Sequence, residues 1–93
     1  MANITSKYLG DVKRVWESLD KYIVQLTNEG TNVELPYLLG FASTLGDDVL
    51  DGAFHILSKH YEISDWDDMV SIIYTLWCED YHYDDFISDH YTK

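Results

Sequence analysis

From Ile4 to Asn28 the apolar residues Leu9, Val12, Trp16, Leu19, Ile23 and Leu26 recur at spacings of 3, 4, 3, 4 and 3. A strand alternates by two, whereas this rhythm sets all six side chains on one stripe of a 3.6-residue helix. The spacing therefore predicts a long amphipathic helix, stopped by "NEGTN" at 28–32 with Gly30 as its left-handed cap. Pro36, the chain's one proline, suits the first turn of a second helix holding Leu38, Leu39, Phe41, Ala42 and Leu45, which Gly46 ends. A third helix runs from about Asp47 to His60 with Leu50, Ala53, Phe54 and Leu57 inward. A fourth follows Ser64, where "SDWD" reads as a capping box with Asp67 in place of the usual Glu, and Trp66, Met69, Val70, Ile73, Leu76 and Trp77 form its buried face. Residues 61–64, "YEIS", suit a short extended piece. The expected architecture is all-α, four to five short helices in a compact bundle.

Ninety-three residues make one domain, 1–93, with a modest core. The hydrophobic fraction of 46 % excludes intrinsic disorder, which needs low hydrophobicity with high charge. No apolar run approaches the roughly 20 residues of a membrane span. The start "MANITSKYLG" carries no secretory leader, and the single Cys78 fits a reducing compartment, so a cytoplasmic protein is expected. Trp16, Trp66 and Trp77 with three phenylalanines are generous for one small core, which leans the expectation toward a homodimer.

Charge is unevenly placed. Residues 1–46 carry 4 basic and 5 acidic side chains, a net of −1, whereas residues 47–93 carry 2 and 12, a net of −10. Such a surface repels nucleic acid and anionic membrane and attracts basic partners through fast, salt-sensitive association. Acids in first helical turns, namely Asp47, Asp48 and Asp51 and then Asp65, Asp67 and Asp68, also have a structural use, since they meet the positive end of the helix dipole.

The closing stretch "CEDYHYDDFISDHYTK" is different in kind. Drawn as a helix from near Glu79, it puts Tyr83, Phe86, Ile87 and His90 on one side and Asp80, Asp84, Asp85 and Asp89 on the flanks, with Asp84, Asp85 and Asp89 too far along to act as caps. Tyr22, Tyr61 and Tyr74 fall near apolar stripes, but Tyr81, Tyr83 and Tyr91 are interleaved with acids. A carboxylate takes a guanidinium fork while an aromatic ring takes its face, so this mixture suits arginine. The candidate partner-binding residues are Glu79, Asp80, Tyr81, Tyr83, Asp84, Asp85, Asp89 and Tyr91, joined by Asp65, Asp67 and Asp68.

Catalytic and metal chemistry find little support. No glycine-rich phosphate loop, nucleophile elbow or Cys-x-x-Cys is present. Cys78 and His82 would share a face of a continuous helix, but two ligands do not complete a metal shell, and a cysteine after Trp77 suits the core. No enzyme activity, cofactor or metal is expected.

Residues 36–64, "LPYLLGFASTLGDDVLDGAFHILSKHYEIS" with its preceding leucine, resemble a degenerate helix-turn-helix followed by the first strand of a wing. A DNA-reading helix would carry Arg, Lys, Asn or Gln where this one has Asp47, Asp48 and Asp51, so the resemblance implies protein binding rather than DNA binding. In composition, size and charge the chain resembles the small acidic DNA-mimic inhibitors of phages and mobile elements that block restriction enzymes or CRISPR effectors. That resemblance implies a non-enzymatic inhibitor of a basic nucleic-acid-binding protein, a nuclease or effector complex, acting in the host cytoplasm. The chain is also similar in kind to immunity proteins that neutralise nuclease toxins, and an acidic adaptor subunit of an assembly stays a third reading.

Overall fold

The computed structural model describes residues 4–91, and within them the chain is all-α, with five helices and no strand. α1 spans Ile4–Asn28, α2 Leu35–Ser43, α3 Asp47–Leu57, α4 Trp66–Cys78 and α5 Tyr83–His90. The stripe of α1 is the spine of the core: Val12, Val15, Trp16, Leu19 and Ile23 are all essentially inaccessible to solvent. α3 lies along α1 and supplies Leu50, Ala53, Ile56 and Leu57. Gly52 sits against α1, where a Cβ would overlap the Asp11 carboxylate unless that side chain turned away. α2 and α4 close the remaining sides with Leu38 and Ala42, and with Met69, Val70 and Ile73. Tyr22 stacks on Phe41 at 4.4 Å and 5°, pinning α2 to α1.

α1 ends as its sequence implies. Gly30 adopts φ 74°, and the Thr31 and Gly30 amides donate to the Leu26 and Thr27 carbonyls, two bonds that satisfy the last turn. α4 ends in the same motif without glycine: Asp80 takes φ 60°, and the Tyr81 and Asp80 amides donate to Leu76 and Trp77. Aspartate tolerates this left-handed region better than most residues.

Several boundaries differ from the sequence reading. α2 stops at Ser43, and Gly46 instead precedes α3 as its N-cap residue at φ 103°. Leu45 therefore lies in a turn, and α3 gives way to turns at 58–60 before reaching His60. Asp65, not Ser64, caps α4 by accepting from the Asp68 amide at 2.9 Å, while Asp68 accepts from the Ser64 amide at 2.8 Å. The charged Asp65 carboxylate takes the capping role one residue along from Ser64, and Asp67 makes no capping bond among the described residues. Residues 61–64 form no strand, so the first strand of a wing is absent; α2 and α3 are joined by the short turn 44–46, and α2 packs mainly on α1 and α4. No described helix is long and apolar enough to cross a membrane.

Candidate partner-binding surface

α5 begins later than its acids suggested. It starts at Tyr83 with His82 as N-cap, so Asp84 and Asp85 occupy its first turn. Asp85 is a capping group after all, accepting from the His82 backbone amide at 2.9 Å. The reason is the Asp80 turn: reversing the chain after Cys78 breaks what the sequence permitted as one continuous helix. Cys78 is consequently exposed rather than in the core, and it shares no helix with His82.

The aromatic residues of the stretch face inward. Phe86 is fully buried, with its ring 5.4 Å from both Trp16 and His60. Tyr81, Tyr83 and Tyr91 are half-buried with their hydroxyls engaged. Tyr81 donates to Asp89 at 2.7 Å, Tyr83 donates to the Leu9 carbonyl at 3.3 Å, and Tyr91 shares a 2.9 Å hydrogen bond with His60 Nε2. Burial first, then the hydrogen bond to the Asp89 carboxylate, pushes the Tyr81 pKa far upward, so this phenol stays protonated. Tyr83 and Phe86 hold α5 on α1, while Tyr81 and Tyr91 pack against the core at the two ends of that helix.

His82 ties the stretch to α1. Its Nδ1 lies 3.1 Å from Asp20 Oδ2 and its Nε2 lies 3.0 Å from Asp80 Oδ1. Burial pulls the His82 pKa down, but the hydrogen bonds to Asp80 and Asp20, together with their charges, outweigh it and the net shift is upward. Asp20 is also raised, because its own burial exceeds the lowering by His82; its Oδ1 is buried without a partner among the described residues. The pair thus retains a proton more readily than either group alone.

All eight acids of the proposed set are exposed, in contrast to the tyrosines. Five have intramolecular work: Asp65 and Asp68 at α4, Asp85 at α5, Asp80 on His82, and Asp89 on Tyr81. Glu79, Asp84 and Asp67 carry no such bond. The acids also fall in two places, since Asp65, Asp67 and Asp68 are at the opposite end of α4 from Glu79, about 20 Å of helix axis away. Asp20 of α1 joins the C-terminal group through His82, and the Tyr83 pKa is raised by burial first and then by the charges of Glu17 and Asp84. Periodicity marked the apolar stripe of α1 but not which flank α5 would cover. A second acidic concavity, about 550 Å³, lies between α1 and α3 and is lined by Lys7, Tyr8, Asp11, Asp48, Asp51 and His55. Among the described residues no group of three His, Cys, Asp or Glu is placed to hold a metal ion. No protein-family model, curated protein or solved structure matches the chain.

Proposed function

We propose that this protein is a non-enzymatic inhibitor that places its acidic surface in the cationic nucleic-acid-binding site of another protein, in the manner of a phosphate mimic. One observation carries the reading: the ion pairs among the described residues are those of His82, so among them no lysine or arginine pairs with the acids of α3, α4 or α5. Carboxylates used only for solubility or capping are commonly interspersed with cations. Here an excess of carboxylates stands beside the half-buried Tyr81 and Tyr83, a surface that can take an arginine by its fork.

The acids without intramolecular bonds give the cleanest test. Glu79→Gln, Asp84→Asn and Asp67→Asn combined should leave folding nearly unchanged, each within about 0.5 kcal/mol. A partner isolated with the wild-type chain at low ionic strength should bind this variant more slowly, and nucleic acid or heparin should displace the wild type from it. A partner with no basic site, or one whose affinity ignores both salt and nucleic acid, would refute the proposal.

A further inference from the structure

The chain contains 23 charged residues and none lies between Leu35 and Gly46, the segment that forms α2 and its following turn. α2 buries Leu38 and Ala42 and leaves much of its remaining surface in water. Leu35 and Tyr37, 39 % and 46 % exposed, are two of three large apolar side chains in the open among the described residues, the other being Val24. A groove of about 120 Å³ opens along one flank of α2, between α2, α3 and α4, with Leu39, Ala42, Leu50, Trp66 and Val70 as apolar walls and Asp67 at its edge; neither Leu35 nor Tyr37 lines it. Gly40 adds an independent oddity. It is exposed in the middle of α2, a Cβ there would meet nothing within 4 Å, and its backbone does not need glycine. Glycine in a helix interior costs stability relative to alanine, and close approach by another surface is one use for the missing side chain.

We infer that the outer face of α2 is the apolar centre of the partner interface: a cationic protein lays several apolar side chains along the helix, across Leu35, Tyr37, the bare Gly40 and the flanking groove, while its neighbouring lysines or arginines meet Asp67. The inference rests on the acidic-inhibitor reading and extends it to where affinity comes from. Stable interfaces place apolar anchors at the centre and charge at the rim, the anchors slowing dissociation and the charges speeding encounter. Charge complementarity selects the occupant. Glu34 precedes α2, Asp47 and Asp48 follow it, and Asp67 edges the groove, so a second copy of a chain with net charge −11 would bring like-charged rims together. A basic partner pairs them.

The test uses the whole chain and two helical peptides of equal positive charge. One has leucines at i, i+3, i+4 and i+7 among arginines, and the other has serines at those positions. At low ionic strength both should bind by fluorescence anisotropy, the leucine peptide about tenfold more tightly, as burial of one apolar anchor allows. Leu35→Ser with Tyr37→Ser should abolish that preference, whereas Val24→Ser should preserve it. Gly40→Ala should raise Tm yet weaken the leucine peptide, separating docking from folding. Equal binding of the two peptides, or a preference that survives the Leu35 and Tyr37 changes, overturns the α2 site and leaves the acidic reading standing. Absence of binding by either peptide overturns both. A dimer in sedimentation that the Leu35 and Tyr37 changes dissociate assigns the face to a second copy and also overturns the inference.

Discussion

α2 and α5 are the two shortest helices, nine and eight residues, and each is too short to persist alone in water. Both depend on tertiary packing, yet they use it in opposite ways. α5 carries three aspartates on its exposed sides and drives Phe86 between Trp16, His60 and Tyr61, so its apolar content is hidden. α2 has no charge at all and hides less, leaving Leu35 and Tyr37 in the open. The acid-rich helix is thus the one whose packing is complete within the chain. Acidity here is a finished surface that can meet water or cations, whereas the apolar face of α2 is the unfinished one.

The sharpest contrast should come from single aromatic truncations. Phe86→Ala removes a fully buried ring and should cost about 3–5 kcal/mol in urea denaturation. Tyr37→Ser, on a half-exposed ring, should cost no more than about 0.5 kcal/mol. Similar losses for the two would mean that α2 is as tightly packed as α5 and would erase the difference between them.

The two chain reversals that precede these helices allow a finer comparison. Gly30→Ala, ahead of α2, forces a side chain into the left-handed region and should cost about 1–2 kcal/mol. Asp80→Gly, ahead of α5, relieves the same strain but gives up the His82 contact. It should stabilise the protein most at a pH above the raised His82 titration, where the contact given up is with a neutral ring, and less below about pH 6.5, where the ring is charged. An Asp80→Gly protein destabilised on the high-pH side of that titration would show that the turn depends on the carboxylate itself.

Within α5, adjacent acids should separate. Asp85→Ala loses the cap on the His82 amide and should cost about 1 kcal/mol, while Asp84→Ala should stay within about 0.5 kcal/mol. Equal thermal shifts would contradict the capping geometry.

The smallest effect is titration, and it should act on α5 and not on α2, which holds no acid, histidine or lysine. His82 is raised in the fold, so its stabilising contribution is complete below the unfolded value of about 6.5 and fades as pH rises through the higher folded value. His60 is lowered by burial, then by the charges of His90, whose ring centroid is 4.3 Å away, and Lys59. Its neutral form therefore contributes above about pH 6.5, and that contribution is lost as pH falls through the lower folded value. Mild acid should tighten the start of α5 and loosen its end. In an NMR titration His82 should deprotonate at higher pH than His60, and the reverse order would break the assignment of opposite roles to the two ends.

How much of this was legible in the residues follows from the range of each interaction. The α1 stripe, the Gly30 stop, Pro36 in the first turn of α2 and the all-α class rest on interactions a few residues long, and these are written into local spacing. The start of α5 was not, because whether Cys78 to Tyr91 runs as one helix depends on whether Asp80 accepts a left-handed turn. That turn is held in place by His82 reaching Asp20, 62 positions away, and by Phe86 reaching Trp16. Composition determined that the protein would be acidic and would carry aromatic residues among its acids. Only tertiary packing decided that those rings turn inward, that Asp85 becomes a cap while Asp84 makes no such bond among the described residues, and that Leu35 and Tyr37 of α2 stay in the open, since each outcome depends on which helix faces meet rather than on the order of residues within one helix.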